Sequence, residues 1–327
     1  MRDQQIFLTG GTGFFGCWLI ESFIAANQSF SLNSKITVLT RNPDIFRERS
    51  PHLAVNPAVS LLKGDVSSFR FPEGSFPFVV HAAADTGGSR TGKAKDTAIT
   101  TLRTILDGTR NTLDFAASHG TRKFMMISSG AVYGDQPSFT TEDFYGSLDP
   151  CLPENAYGEA KRAAEALCSA YTSSHGFACK IARCFAFVGP HLPLDGRYAI
   201  GNFIQSALTS QPIHIHGDGT PVRSYLYAAD LTVWLWTVLF NAPSLFPINI
   251  GSDKAISIGQ LAEEVRATLD CNLDILISRR ASAGVPIKHY VPSVQRAYDQ
   301  LKLKQTVELH EAIRRTAEWY GWTNVKE

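Results

Sequence analysis

Residues 5–16 read Gln5-Ile6-Phe7-Leu8-Thr9-Gly10-Gly11-Thr12-Gly13-Phe14-Phe15-Gly16, an apolar run that closes on glycines. Gly10, Gly13 and Gly16 fall in the spacing G-x-x-G-x-x-G, and Phe14, Phe15, Trp18, Leu19 and Phe23 then recur along an amphipathic helix. The first glycine permits a tight strand-to-helix turn. The second lets backbone approach a pyrophosphate, and the third lets the helix pack closely on a sheet. The helix N-terminus turns N–H groups and a positive dipole toward phosphate. Strand, turn and helix come in the order that dinucleotide binding needs, which makes Gly10, Thr12, Gly13, Phe14, Phe15 and Gly16 candidate cofactor contacts.

Outward from this turn the first 185 residues alternate short apolar runs with amphipathic stretches. Strands are predicted at Gln5–Thr9, Lys35–Thr40, Val59–Lys63, Phe78–His81, Lys123–Ser128 and Cys179–Arg183. Helices are predicted at Gly13–Asn27, Asp96–His119 and Ala156–His175. That rhythm implies βαβ units with parallel pairing, hence an α/β, doubly wound parallel sheet of Rossmann type. After about Pro190 the rhythm breaks. Helices near Asn202–Ser210, Ser257–Leu269, Ser293–Leu301 and Val307–Gly321 suggest a smaller, mostly helical substrate lobe. RSYLYAADL and a strand near Pro247–Ile250 read as returns to the sheet. The expected division is 1–185 with 224–252 for the dinucleotide domain, and 186–223 with 253–327 for the lobe.

A second constellation lies at the end of the fifth strand. KFMMISSGAVYG places Ser129 at the strand end, and Tyr157-Gly158-Glu159-Ala160-Lys161 opens the next helix. Helical spacing puts Tyr157 and Lys161 on one face. A free phenol, with its pKa of about 10, is a poor acid or base near neutrality. Lowering it by roughly three units takes about 4 kcal/mol, the scale a neighbouring buried ammonium supplies. Ser129 would hold the same substrate oxygen, while Tyr133 reads as structural.

A nucleotide-binding turn, a strand-end hydroxyl and a Tyr/Lys pair in this order resemble the short-chain dehydrogenase/reductase superfamily, in its extended branch of NAD-dependent epimerases and dehydratases that modify sugar nucleotides. The resemblance covers nearly the whole chain. It implies Ser129, Tyr157 and Lys161 as catalytic, with Tyr157 and Lys161 also touching the cofactor. It puts the adenine at Asp65 and Val66, the ribose near Ala82, Ala83 and Ala84, and the nicotinamide end near Cys184. Thr86, Ser129, Asn202 and Arg223 are implied for the sugar nucleotide, Arg223 because a planar guanidinium suits diphosphate; pairing with Asp218 or Asp230 is its bland alternative. At the end of the second strand, where an acidic residue would accept a ribose hydroxyl, stand Thr40 and Arg41. A cation there favours NADP, with NAD as the alternative. Dehydratases of this family carry Asp-Glu after the catalytic hydroxyl; this chain has Gly130 and Ala131. Ala186 and Ile105 also replace the family's usual Asn.

The expected activity is therefore hydride transfer on a nucleotide-linked sugar, with 4-keto reduction favoured over 4-epimerisation. A non-catalytic, dinucleotide-sensing binding protein is the rival of another class. The 327 residues suffice for a large core, and 19% charged against 44% hydrophobic residues marks a soluble globular chain. A formal net charge of +1 gives no field for nucleic acid. The longest apolar stretch, LTVWLWTVLF, is far short of the roughly 20 residues of a membrane span. The N-terminus enters the first strand almost at once, so a cytoplasmic enzyme is expected. No metal site is expected: the six cysteines lack C-x-x-C spacing, and His214 and His216 lack ligand partners. Homodimerisation through the helices at Asp96–His119 and Ala156–His175 would suit the family, though the chain's own sheet could fill the same faces.

Overall fold

Strand β1 (Gln5–Thr9) buries Ile6 to Thr9 without alternation because it is a central parallel strand covered on both faces. It pairs with β2 (Lys35–Thr40) on one side and β4 (Phe78–His81) on the other. The computed structural model describes residues 1–84, 97–146, 148–196, 198–281 and 284–323. With β3 (Val59–Lys63), β5 (Lys123–Ser129), β6 (Ala178–Cys184) and β11 (Ile248–Ile250) the sheet order is β3-β2-β1-β4-β5-β6-β11, and β1 to β6 pair parallel. The chain winds outward from β1 to β3, then restarts at β4 on β1's other side. That reversal is the switch point at which open α/β sheets bind ligands.

The helices between these strands are α1 (Phe14–Ser29), α2 (Pro43–Arg49), α3 (Pro51–Ala54), α4 (Thr97–Ser118) and α5 (Ala156–His175). The chain divides into two compact units, the first comprising Met1–Gly134, Ser147–Cys184 and Leu235–Ile248. Its core sets Phe7, Phe69, Phe76, Phe115 and Phe124 with Ala160, Ala164 and Cys168. The rings of Phe7 and Phe115 lie 4.3 Å apart. The small residues of α5 let it lie close to α4 and β5. Helix α7 (Ala228–Asn241) is the apolar LTVWLWTVLF stretch, a core helix burying Leu231, Trp234, Leu235, Val238 and Leu239. Among the described residues no helix is long and apolar enough to cross a membrane.

The second unit comprises Asp135–Gly146, Phe185–Trp234 and Asn249–Glu327. Its other helices are α6 (Ala199–Leu208), α8 (Ile258–Thr268), α9 (Gln295–Leu301) and α10 (Leu309–Trp319), with a Ser257/Gln260 capping box opening α8. Between them run strands of two or three residues, too short to show a period: β7 (Phe187–Val188) with β10 (Leu226–Tyr227), β8 (Ile213–Ile215) with β13 (Ile275–Ile277), and β9 (Val222–Arg223) with β12 (Ile256–Ser257) and β14 (His289–Tyr290). RSYLYAADL does not return to the large sheet. The Leu226 N–H bonds the Ala186 carbonyl at 3.1 Å, and the chain turns into α7 two residues later. The compact units differ from the sequence-based division at 135–146, 185, 224–234 and 249–252. Thr140 holds the first of these segments in the second unit, its N–H on the Val291 carbonyl and its carbonyl taking the Ser293 N–H.

Candidate active site

At the β1/β4 switch point Gly10 has φ +70°, and a Cβ there would lie 2.6 Å from the backbone of Ala82 and Ala83. A Cβ on Gly16 would collide with the Gly11 backbone, so α1 leaves the turn with its first residues pressed on it. Gly11, which the spacing argument passes over, is equally constrained, by the Val38 side chain. Gly13 caps α1 without a side chain, leaving that end to backbone N–H groups. Thr9 Oγ1 takes the Ala83 N–H at 3.2 Å and bonds His81 Nδ1 at 2.9 Å, while His81 Nε2 bonds Thr109 Oγ1 at 3.1 Å. Burial, with Lys161's charge behind it, pushes His81 down to about 3, so the ring is a neutral strut between β1, β4 and α4. A turn emptied of side chains beside the Ala82–Ala84 backbone is a cradle that fits the pyrophosphate and ribose of a dinucleotide. Phe14 and Phe15 sit half-buried just after it, ring to ring at 5.6 Å. Asp65 Oδ1 takes the Ser67 N–H at 3.0 Å and its hydroxyl, bonds that hold its carboxyl below the usual range. The Val66 carbonyl takes Asn111 Nδ2, and its side chain packs against Gly108.

Beside this cradle a cavity of about 150 Å³ is lined by Thr12, Thr40, Arg41, Asn42, Ile45, Phe46 and Arg49. It is smaller than the roughly 300–1,000 Å³ of a whole small-molecule site, so it suits one group of a ligand. Two guanidinium groups and no carboxylate line it. Arg49 comes from α2, whose Asn42 cap and Pro43 fix the entry to the helix; its guanidinium reaches back to the Thr12 carbonyl. Sequence reasoning named Arg41 and missed Arg49. Asn-Pro is readable as a helix start, but nothing local says that this helix carries Arg49 back toward the turn.

Ser129, Tyr157 and Lys161, the residues expected to be catalytic, all lie in the first unit. Ser129 ends β5 opposite Cys184 of β6 and caps a 3-10 turn, Gly130–Tyr133, by taking the Ala131 N–H at 3.2 Å. Helix α5 is drawn onto this turn at two points and onto β5 at a third. A Cβ on Gly158 would lie 2.6 Å from the Ala131 carbonyl oxygen, Arg162 Nη1 donates to the Val132 carbonyl at 3.1 Å, and Lys161 Nζ donates to the Ile127 carbonyl at 2.7 Å. Lys161 is 2% exposed and its Nζ lies 6.0 Å from the Tyr157 ring centre. Burial lowers it from 10.5 to about 8, and Cys184, Glu165 and Cys168 offset this only in part. Burial also raises the Cys184 thiol, and a hydrogen bond to Cys179 with burial raises Cys168, so both are neutral near pH 7. Glu165 is then the anion that supports the lysine's charge. Tyr133 is 1% exposed, with its hydroxyl taking a hydrogen bond from Arg183.

Thr86 lies outside the described residues. Asn202 and Arg223 belong to the second unit. Asn202 closes a loop, taking the Gly196 N–H at 3.0 Å and donating to the Gly196 carbonyl at 2.7 Å. Arg223 lies on β9 with its guanidinium 5.6 Å from the Tyr290 ring centre. The carboxylates near it in sequence are engaged elsewhere: Asp218 with Thr220, Asp230 with Thr306 and Val307. His214 and His216 are exposed, His214 between the buried Ile213 and Ile215.

Known proteins share this architecture along the whole chain. UDP-glucuronic acid decarboxylase 1 of Arabidopsis thaliana is 28% identical over 315 residues, covering 96% of this chain and 69% of that protein. The UDP-N-acetylglucosamine 4-epimerase of Methanobrevibacter ruminantium M1, solved with UDP-N-acetylmuramic acid, superposes with a TM-score of 0.83 at 21% identity, covering 98% and 99% of the two chains. The UDP-glucuronic acid 4-epimerase of Bacillus cereus, solved with UDP-glucuronic acid and NAD, gives 0.79 at 22% identity, covering 97% and 98%. At those identities the two structures speak for the fold. The model of one family, whose description is NAD dependent epimerase/dehydratase, matches residues 6–251, from β1 through the last strand of the sheet and across Ser129, Tyr157 and Lys161. The chain belongs to the NAD dependent epimerase/dehydratase family.

Proposed function

We propose that this chain is a nucleotide-sugar oxidoreductase that interconverts hydroxyl and keto groups on the sugar, with reduction of a 4-keto group by NADPH as its main reaction. The observation that carries the reading is the buried Lys161 ammonium beside Tyr157, on a helix locked against the turn that holds Ser129. Ser129 would orient the sugar oxygen. Tyr157 would deliver a proton to it as the ketone becomes an alcohol, and Lys161 would stabilise the phenolate left behind. A nicotinamide cofactor, when bound, supplies the hydride. Gly10, Gly13 and Gly16 would take its pyrophosphate and Ala82–Ala84 its ribose, and the second unit would bind the sugar nucleotide.

Preference for NADP rests on the Arg41/Arg49 cavity, where a ribose 2′-phosphate would meet two cations and no carboxylate in the lining. Reductive biosynthesis draws on NADPH, which favours the reductase. The 4-epimerase reading is supported by the two solved structures of this fold described above, both of 4-epimerases. Incubation with UDP-, dTDP-, CDP- and GDP-linked sugars and their 4-keto forms, followed at the absorbance of reduced nicotinamide, separates these outcomes. A reductase consumes one NADPH per sugar; an epimerase interconverts sugars with no net redox change and keeps its cofactor. No turnover and no competitive sugar-nucleotide binding across the panel would leave a dinucleotide-binding protein instead.

A further inference from the structure

We infer that the ion pair between Arg183 and Glu165 is a positioning element of the active site, fixing the Ser129 turn against the Tyr157–Lys161 helix from behind. The inference rests on the proposed role of those three residues and adds one that no motif assigns. Arg183 is the penultimate residue of β6, and Glu165 lies one helical turn beyond Lys161 on α5. Arg183 Nε and Nη2 fork onto the two carboxylate oxygens of Glu165 at 3.1 and 2.8 Å. The two side chains are 15% and 12% exposed. The remaining guanidinium nitrogen, Nη1, donates to the Tyr133 hydroxyl at 3.0 Å, and the guanidinium carbon stands 4.9 Å from that ring's centre. Ser128 Oγ donates to Glu165 Oε1 at 2.5 Å.

Ser129 is therefore bracketed in sequence by Ser128 and Tyr133, and both neighbours end on the same ion pair. One pair joins β5, the 3-10 turn, β6 and α5, the four segments that set where Ser129, Tyr157 and Lys161 stand. An isolated turn of four residues would hold Ser129 Oγ far less tightly, and misplacement of about 1 Å in such a site costs roughly a hundredfold in rate. A bidentate Arg–carboxylate pair is geometrically specific where a Lys–carboxylate pair is not. Electrostatics run the same way. The groups that act on Lys161 are His81 from β4, Cys184 from β6, and Tyr157, Glu165 and Cys168 from its own helix, with Arg183 of β6 behind Glu165. The imidazole and both thiols are neutral near pH 7, so Glu165 is the anion that favours the protonated amine.

Glu165→Gln keeps the shape of the side chain and removes its charge. In Lys161 labelled with ¹⁵N and assigned by its loss in Lys161→Met, the titration midpoint should fall by roughly half a pH unit or more. Turnover should fall by at least about tenfold with KM and NADPH affinity within about twofold, the split expected of a residue that acts through others. A midpoint within about 0.2 of the parent together with unchanged turnover overturns the inference. Should Glu165→Gln not fold, because Arg183 is left unpaired, Ser128→Ala and Tyr133→Phe leave the pair intact and carry the test. Each should lower turnover by roughly threefold to tenfold, and the double variant by less than the product, as expected of contacts that end on one pair. Parent-like turnover in both overturns it as well. Wild-type protein that turns over no sugar nucleotide would remove the proposed function, while the Lys161 midpoint would still report on the pair.

Discussion

Replacing Lys161 by Met should make the folded protein lose activity yet remove a cost that the active site carries. Lys161 falls from the ordinary 10.5 to about 8, chiefly because burial disfavours the charged amine. At about 1.4 kcal/mol per pKa unit, that difference amounts to roughly 3 kcal/mol working against folding wherever the amine is charged in both states. Between about pH 8 and 10.5 the unfolded chain binds a proton at this lysine that the folded chain does not. Stability then rises with pH through that window on account of Lys161, and below pH 8 the full penalty is present. Met fills a similar volume without charge, so the penalty disappears. Against this, the Ile127 carbonyl loses the Nζ donor 2.7 Å away, a loss of about 1–3 kcal/mol. The two terms leave the net change at pH 7 small, but only the first depends on pH.

The measurable quantity is therefore a slope. Urea unfolding of both proteins near pH 7 and near pH 9.5 should show the wild type gaining roughly 2 kcal/mol on the variant across that interval. Titrating groups that do not feel Lys161 cancel in the comparison, because the two chains differ at one position. If the difference between the two proteins is the same at both pH values within about 0.5 kcal/mol, the lysine is not held in a desolvated, charge-disfavouring site. The account of how it tunes Tyr157 would then fail with it.

Tyr157→Phe should lower turnover by roughly 10²–10⁴-fold while leaving NADPH affinity within about twofold, read by steady-state rates and fluorescence titration; a rate unchanged from wild type would remove Tyr157 as the proton carrier. Arg49→Ala should weaken NADPH by roughly tenfold or more with NADH nearly unaltered, since a charge-assisted bond to phosphate is worth about 1.5–3 kcal/mol and this one is partly open to solvent. Equal weakening of both cofactors would mean that Arg49 only supports the Thr12 turn. Gly158→Ala should lower the urea midpoint by an amount equivalent to about 1–3 kcal/mol and depress turnover, because the new methyl meets the Ala131 carbonyl oxygen, backbone that cannot swing aside. A midpoint equal to wild type would show that α5 can retreat without harm.

The large sheet was legible because its strands are long enough, and buried enough on both faces, to write continuous apolar runs between glycine-rich turns. Predicted and observed limits agree residue for residue at β1 to β4, and at α5. The second unit was less legible in its strands. Pairs such as Phe187–Val188 with Leu226–Tyr227 are two residues long and carry no period at all. Within the site, residues that act through their own type at a fixed spacing could be named, among them Gly10, Tyr157 and Lys161. Those that act by converging from distant segments could not. Arg49 meets Thr12 across 37 positions, and Ser128 meets Glu165 across the same separation. Nothing local marks an Arg that returns to a turn, or a Glu that faces inward from a helix.

The turn after Ser129 also bears on which reactions of the family the site can support. Gly130 is buried, and the Ala131 carbonyl is the surface on which Gly158 rests. The close approach of α5 is thus made at Gly158, and it places Tyr157 and Lys161 beside the strand end. Positions 130 and 131 hold the Asp-Glu pair in dehydratases that this sequence resembles, where loss of water needs one group to remove a proton and another to give one. A carboxylate at Gly130 would be introduced into a buried position, and the Arg183 guanidinium, already matched to Glu165, would not supply a cation to meet it. With no carboxylate on this turn, the proposed proton transfer at one sugar oxygen rests on Ser129, Tyr157 and Lys161 alone.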